Sequence, residues 1–301
     1  MTSTLPTLPT APAAPAPATT APTAAHPRLS INQATIKYAD LATALRVTAD
    51  AGVSSIGLWR EPVAEVGLDA AVRMVADSGL RVSSLCRGGF FTVPEGPARR
   101  AAIDENRRAI AETAALGAPT LVLVAGGLPE GSRDLVGARE RVRDAIGELA
   151  DEARAAGITL AIEPLHPMYV SDRAVISTLG QALDIAEQFG ADAVGVVVDT
   201  FHVWWDPALA AQVARAGAGG YITSYQVCDW ATPLPADVLL ARHYPGSGVI
   251  DFASISALVH AAGYTGDVEV EIFNQDIWDT PAAEVVARTV ASFGAAVAPH
   301  L

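Results

Sequence analysis

Short apolar runs alternate along the chain with longer segments in which apolar residues recur every three or four positions. The short runs are typical of buried strands, and the longer, alanine-rich segments are typical of amphipathic helices. Several of these helical segments are followed by a glycine, the residue that most readily adopts the left-handed conformation ending a helix. The pattern therefore predicts regularly alternating strands and helices.

Eight strands and eight helices are predicted in this way. The strands cover residues 29–33, 55–58, 82–86, 121–124, 159–163, 194–199, 222–228 and 268–272. The helices cover residues 39–51, 68–78, 97–116, 133–156, 177–189, 207–216, 252–262 and 281–296. Eight consecutive strand–helix units in about 270 residues match the arithmetic of an α/β fold of the (β/α)8 TIM barrel type. A doubly wound sheet is the alternative, but no glycine-rich phosphate loop follows the first predicted strand.

The start of the chain has a different composition. Residues 1–25 are almost entirely Ala, Pro and Thr without a charged side chain, and seven of the 20 prolines lie at or before Pro27. The segment lacks the basic start and the continuous apolar core of a signal peptide. It offers too little apolar surface to order itself. We therefore expect a disordered tail over residues 1–27 and the barrel over residues 28–301.

Composition and charge exclude several classes of partner. The chain has 33 acidic and 20 basic residues, a net charge of −13, which makes nucleic acid an unsuitable partner. No uncharged apolar run of about 18 residues is present, so no membrane span is predicted. Cys86 and Cys228 lie in apolar runs and are expected to be buried thiols in the reducing cytoplasm. Lys37 is the only lysine, which argues against capture of a phosphate ester.

Polar side chains stand at the ends of the last four predicted strands. The fifth strand ends in Glu163 and the sixth in Asp199, the seventh contains Gln226, and the eighth carries Glu271. In a barrel these ends meet at one face. Carboxylates at the ends of apolar strands are costly to leave unpaired, and one divalent cation bound by all four residues would pair them. An all-oxygen ligand set favours Mn²⁺ or Mg²⁺ over Zn²⁺.

Further residues that suit a sugar site follow the same strands. They are His166, His202, Trp204, Trp205, Asp229, Arg242 and Asn274. Aromatic rings beside a polar pocket are how proteins contact the apolar faces of sugars. We predict substrate contact for all of these residues except His166, which is considered below. Structural roles are the alternative: Asp199 as a helix cap, Gln226 as a hydrogen-bonded core residue, and Arg242 as a brace for the following glycine turn.

Together these motifs resemble the xylose isomerase-like superfamily of sugar phosphate isomerases and epimerases. In that family a Glu ends strand five, an Asp followed three residues later by a His ends strand six, and a Glu ends strand eight. An Arg also precedes a Pro-Gly-x-Gly turn. The matching positions are Glu163, Asp199 with His202, Glu271, and Arg242 before residues 245–248. The family usually has a metal-binding His where this chain has Gln226, whose amide oxygen coordinates more weakly. The resemblance implies Mn²⁺, with Mg²⁺ and Co²⁺ as alternatives.

His166 adds a second departure from the common pattern. The sequence Glu-Pro-Leu-His-Pro over residues 163–167 resembles a subgroup that acts on 3-keto sugars, which includes 3-dehydro-glycoside epimerases and metal subunits of C-glycoside deglycosidases. The resemblance implies a divalent-metal-dependent sugar isomerase or epimerase acting on a 3-keto sugar or glycoside. The reaction would be proton abstraction next to a ketone through an enediolate, with Glu163, Glu271 and His166 as the acid and base groups.

Four other functions are considered beside this one. A C-glycoside deglycosidase-type lyase would need a small partner subunit, and the resemblance also implies a homo-oligomer as an alternative assembly. A non-catalytic sugar-binding barrel is favoured by Gln226. An aldose–ketose isomerase would transfer the proton between neighbouring carbons. An endonuclease of the same barrel class would need a basic face and more histidines than the six present.

Overall fold

Eight parallel strands close into a barrel in the computed structural model, which describes residues 24–301. The strands of these residues are β1 (Leu29–Asn32), β2 (Ser55–Trp59), β3 (Arg81–Gly89), β4 (Thr120–Val124), β5 (Thr159–Glu163), β6 (Val194–Asp199), β7 (Ile222–Val227), β8 (Asp229–Trp230), β9 (Arg242–His243) and β10 (Val268–Val270). The order around the barrel is β1-β10-β7-β6-β5-β4-β3-β2, and β8 pairs with β9 in a separate antiparallel ribbon. The predicted (β/α)8 barrel is confirmed.

Helices connect the strands on the outside of the barrel. They are α1 (Leu41–Asp50), α2 (Arg60–Val66), α3 (Leu68–Ser78), α4 (Pro97–Ala115), α5 (Leu135–Ala155), α6 (Leu179–Ala186), α7 (Thr200–Val203), α8 (Leu209–Gly219), α9 (Phe252–Ala261), α10 (Gln275–Trp278) and α11 (Ala282–Ala296). Short 3₁₀ turns cover Gln33–Ile36, Pro167–Tyr169, Val238–Leu240 and Ala298–His300. No helix of residues 24–301 combines the length and apolarity needed to cross a membrane.

The strands are apolar because both of their faces are covered. Every residue of β4 and of β6 is buried; Val and Leu make up most of β4, and Val makes up most of β6. Side chains fill the inside of a parallel barrel and helices cover its outside, so a strand has no solvent-facing side. The helices contribute one apolar stripe each. In α5 the seven buried residues between Ala138 and Ala153 recur at helical spacing.

Side-chain hydrogen bonds determine where several elements begin and end. Asp134 caps α5 by accepting the N–H of Gly137, so the helix begins at Leu135 rather than at residue 133. The predicted last strand, residues 268–272, ends at Val270. It stops there because the N–H of Ile272 donates to the hydroxyl of Thr35, 2.9 Å away, instead of to a neighbouring strand.

Strand β3 is longer than predicted and ends in two glycines. Gly88 and Gly89 pair with β4, and a Cβ built on Gly89 would lie 1.9 Å from the carbonyl oxygen of Val124. The buried side chain of Asn106 accepts the N–H of Gly89 at 2.7 Å and donates to its carbonyl oxygen at 2.9 Å. Only glycine permits this close approach.

The predicted tail falls mostly outside the described residues. The expectation of disorder over residues 1–23 therefore concerns a part of the chain that the structure does not describe. Residues 24–27, which we also predicted as tail, are described and contact the barrel. Ala25 packs against the core, and the ring of His26 lies 5.8 Å from that of Phe293.

Candidate active site

Four polar side chains come together where the last strands of the barrel end. Glu163 is the last residue of β5, and Asp199 is the last residue of β6. Gln226 lies in β7, in register with Asp199, and Glu271 directly follows β10. Since β5, β6, β7 and β10 are neighbours in the barrel, the residues grouped from the sequence lie at one face.

Arg242, on β9, forms ion pairs with two of these carboxylates. Its Nη1 donates to Asp199 Oδ2 at 2.8 Å and lies 3.0 Å from Glu271 Oε2. Only 4% of the Arg242 side chain is exposed. The guanidinium therefore supplies the counter-charge for two carboxylates that would otherwise be buried without one.

Burial changes the proton affinity of both glutamates. Burial, reinforced by the charges of Glu271 and Asp199, raises the pKa of Glu163 well above its usual range. Burial also raises the pKa of Glu271 to about 7, although the charge of Arg242 acts in the opposite direction. A carboxyl group with a pKa near 7 can accept and release a proton at neutral pH, as a general acid and base must.

His202, on α7, is a neutral imidazole beside the same carboxylates. Its Nε2 lies 3.9 Å from Glu163 Oε1 and 3.8 Å from Asp199 Oδ2. Burial, and then the charge of Arg242, lowers the pKa of His202 well below its usual range. The backbone N–H of His166 donates to its Nδ1 at 3.1 Å, and Arg242 Nη2 lies 2.9 Å from its Nε2. Because a guanidinium can only donate, Nε2 is placed as an acceptor beside Arg242.

Gln226 has a buried amide without a partner. The residue is 1% exposed, and neither its Oε1 nor its Nε2 has a hydrogen-bond partner among the described residues. Leaving such a group unpaired costs roughly 1–3 kcal/mol. One atom each of Glu163, Asp199 and His202 lies within 4.8 Å of the others, a spacing suitable for a metal ion. The orphaned amide and the clustered carboxylates fit a divalent cation.

Asp229 and Asn274, for which we predict substrate contact, form framework hydrogen bonds. The carboxylate of Asp229 accepts the backbone N–H groups of Trp230, Gly246, Gly248 and Ile250. Asn274 caps α10 and donates to the carbonyl oxygen of Arg242 at 3.0 Å. Neither lines the cavity described below. Both hold the segment that carries Arg242, and their contact with substrate stays a prediction.

His166, Trp204 and Trp205 pack with Trp230 beside the cavity rather than in its lining. The ring of His166 lies 5.5 Å from that of Trp205 and 5.1 Å from that of Trp230. Trp204 lies 5.4 Å from Trp230, and the indole N–H of Trp205 donates to the carbonyl oxygen of His202. Through the Trp205 hydrogen bond, this aromatic cluster contacts the backbone of His202. The acid or base role of His166 and the sugar contacts of the two tryptophans stay predictions.

A cavity of about 450 Å³ opens at this end of the barrel. Glu163, His202, Arg242 and Glu271 all reach its lining. Asp199 and Gln226 do not line it, although Asp199 contacts Arg242 directly. Glu163 and Glu271 are thus accessible to a small molecule, whereas two of the four predicted cation ligands do not reach the cavity.

The cavity has aromatic walls that our sequence analysis missed. Trp59, Tyr169 and Phe273 line it, and the rings of Trp59 and Phe273 are 5.7 Å apart at an interplanar angle of 66°. Aromatic surface beside polar groups is typical of sugar-binding pockets. Trp59 is the last residue of β2. Searching the ends of the early strands as well as those of the late strands would have identified it as a candidate.

A closed (β/α)8 barrel with clustered carboxylates at the carboxyl ends of its strands has the layout of a TIM-barrel enzyme. Comparison with known families specifies the class further. Residues 45–293 match the model of the xylose isomerase-like TIM barrel, and the chain belongs to this family. The resemblance inferred from the strand-end residues is thereby confirmed.

Individual proteins resemble the chain to different degrees. The chain is 27% identical over 256 residues to L-ribulose 3-epimerase of Mesorhizobium japonicum, covering 82% of this chain and 80% of that protein. It is 28% identical over 142 residues to inosose isomerase of Halalkalibacterium halodurans, covering 46% of this chain and 48% of that protein. The match thus spans about half of the inosose isomerase. The crystal structure of protein SMc04130 from Sinorhizobium meliloti 1021 is 49% identical, with a TM-score of 0.87 and coverage of 90% of this chain and 98% of that chain.

Proposed function

We propose that the protein is a divalent-metal-dependent sugar isomerase or epimerase that removes a proton next to a ketone. One observation carries this proposal: two glutamates with raised pKa values, Glu163 and Glu271, share a cavity with His202 and Arg242, near the strand position of the unpartnered amide of Gln226. The names of the relatives, an inosose isomerase and an L-ribulose 3-epimerase, support the same reaction class.

The two glutamates would exchange the proton across the substrate. In the barrel β6 and β7 separate β5, which carries Glu163, from β10, which precedes Glu271. The carboxyl groups therefore approach the cavity from different sides. One takes the proton from one face of the carbon next to the ketone, and the other returns a proton to the opposite face, which inverts that carbon. Arg242 would donate a hydrogen bond to the substrate oxygens, and His202, which borders the same cavity, would contact them.

The cation would be held by Glu163, Asp199, Gln226 and Glu271. When bound, a divalent cation polarises the ketone and stabilises the negative charge that develops on its oxygen. We propose Mn²⁺, with Mg²⁺ and Co²⁺ as alternatives, because all four ligand groups present oxygen. Since the pKa of Glu271 is about 7, the cation competes with a proton for this carboxylate at neutral pH.

Substitution of Gln226 tests its role as a cation ligand. Gln226→Leu should weaken Mn²⁺ binding about tenfold because one ligand oxygen is lost, and Gln226→His should strengthen it about tenfold because imidazole is the better ligand. Isothermal titration calorimetry of the metal-free protein with MnCl₂ measures both. Thr223→Val on the same strand serves as the control, since Thr223 does not border the cluster. Equal affinities in all variants would make Gln226 a structural residue.

For the substrate we propose a 3-keto sugar or glycoside, as the motif around His166 indicates. Solvent deuterium uptake followed by NMR, in the presence of Mn²⁺, tests the proposed function on two substrates: a free ketohexose and a 3-keto-glucoside. We expect uptake at one carbon next to the ketone. The substrate that exchanges identifies the branch, and loss of the substituent at C1 would reveal the lyase chemistry of a C-glycoside deglycosidase subunit instead.

Failure of this experiment would also be informative. If neither substrate takes up deuterium while Mn²⁺ is bound, proton abstraction by this protein alone is wrong, and addition of a partner subunit becomes the next experiment. If neither exchanges and no metal binds, the enzymatic proposal is wrong. Tight sugar binding without exchange would then favour the non-catalytic barrel.

A further inference from the structure

Besides Arg242, three cationic side chains line the cavity that contains Glu163 and Glu271. They are Lys37, Arg87 and Arg173, which come from separate parts of the chain. The single lysine of the sequence argued against binding of an anionic ester. The fold changes this picture, because it gathers two arginines beside that lysine in a protein whose net charge is −13.

Arg87 has no protein anion to pair with. It is half-buried, yet it makes no ion pair and no side-chain hydrogen bond with any residue of 24–301. Aromatic rings hold its guanidinium instead: the central carbon lies 4.9 Å from the ring centroid of Phe90 and 5.7 Å from that of Trp59. Arginines elsewhere are commonly paired, as Arg60 is with Glu112 at 2.5 Å. The N–H donors of Arg87 are therefore free to bind a ligand.

The other two cations also lie over aromatic rings but differ in their ion pairing. Lys37 Nζ lies 4.4 Å from the ring centroid of Trp278 and has no ion pair within the described chain. Arg173 lies over the ring of Tyr169, and its one carboxylate neighbour, Asp172, is 3.6 Å away. Two acidic residues, Glu61 and Glu65, also line the cavity, but neither forms an ion pair with these cations among residues 24–301.

We infer that the substrate carries an anionic group, a carboxylate or a phosphate ester, which Arg87 binds together with Lys37 and Arg173. This inference rests on the proposed function and specifies its substrate class. A neutral sugar needs hydroxyl partners and would leave Lys37 and Arg87, which form no ion pair among residues 24–301, without a counter-charge. A planar guanidinium fixed by aromatic rings is well suited to two parallel hydrogen bonds with carboxylate or phosphate oxygens.

Matched ligands test this inference without requiring turnover. Isothermal titration calorimetry of the Mn²⁺-loaded protein compares D-fructose, D-fructuronate and D-fructose 6-phosphate, which differ only at C6. We expect one of the two anions to bind at least about tenfold more tightly than fructose, because charge-assisted hydrogen bonds add to those of the hydroxyl groups. The preferred anion distinguishes a sugar acid from a sugar phosphate.

Variants assign the preference to Arg87. In Arg87→Met the ratio of anion to fructose affinity should fall to near one, whereas Arg87→Lys should retain part of it. Arg73→Met is the matched control, because Arg73 is exposed on α3, outside the cavity, and should leave the ratio unchanged. A wild-type ratio of one or below, or a ratio that survives in Arg87→Met, would overturn the inference.

This outcome is separate from that of the proposed function. Affinity ratios do not depend on proton exchange, so an anion preference without deuterium uptake would support the binding site and reject the isomerase. Exchange on a neutral keto sugar without any anion preference would do the reverse.

Discussion

Glu163→Gln and Glu271→Gln should each slow exchange of the substrate proton next to the ketone by about 10³-fold, within the range typical of general acid–base catalysis. The amide has nearly the shape of the carboxyl group but cannot accept the proton. Both side chains border the cavity, and burial raises the pKa of each toward the range that proton transfer at neutral pH requires. Deuterium uptake by NMR on the exchanging substrate measures the effect.

Glu269→Gln is the matched control for this pair. Glu269 is also a buried barrel carboxylate with a raised pKa, but it accepts a hydrogen bond from Asn32 at 2.9 Å and does not line the cavity. The rate of substrate proton exchange in Glu269→Gln should remain within a few-fold of wild type. Because Glu163 and Glu271 are also proposed cation ligands, Mn²⁺ affinity must be measured in parallel and the assays run at saturating metal. Wild-type exchange by either variant with Mn²⁺ bound would remove that glutamate from the mechanism.

Arg242→Met should lower the free energy of unfolding of the metal-free protein by about 3–5 kcal/mol, the usual cost of removing one partner from a buried ion pair. The methionine fills similar volume, but Asp199 and Glu271 are then buried without the guanidinium that lies 2.8 Å and 3.0 Å from them. Urea unfolding with EDTA present, followed by circular dichroism, measures the loss.

Mn²⁺ distinguishes electrostatics from packing in this variant. If the loss comes from uncompensated carboxylates, saturating Mn²⁺ should restore most of the stability, and the variant should bind Mn²⁺ more tightly than wild type. Arg215→Met is the control: Arg215 pairs with Asp184 and Glu187 on the surface, where such pairs contribute about 0–1 kcal/mol. A loss of similar size in both variants, or no response of Arg242→Met to Mn²⁺, would show that Arg242 is not the counter-charge of the cluster.

The limits of the sequence reading are clearest in the aromatic residues. Trp204 and Trp205 follow the predicted ligand Asp199 in the chain; in the structure they pack with Trp230 and His166, and their predicted contact with the sugar stays a prediction. Neighbours in sequence diverge once a short helix such as α7 follows the strand, because successive side chains then point in different directions. Trp59 lies in the cavity although more than 100 residues separate it from Glu163.

The sequence alone determined the fold class, and it predicted that four polar residues at the ends of the strands lie at one face of the barrel. Alternating periodicities specify strands and helices, parallel strands with short connections close into a barrel, and a barrel places the ends of its strands at one face. Glu163, Asp199, Gln226 and Glu271 therefore had to be neighbours once eight units were recognised. No contact had to be known for this conclusion, because it follows from the repeat itself.

Only the tertiary structure determined which side chains form ion pairs with the carboxylates at the strand ends. The ion pairs of Arg242, the orphaned amide of Gln226 and the gathering of Lys37, Arg87 and Arg173 depend on distances between segments far apart in the chain. Burial likewise sets the pKa of Glu271 near 7, and burial is a property of the packed barrel. Local sequence patterns encode periodicity, whereas counter-charge and desolvation arise only when the strands have closed.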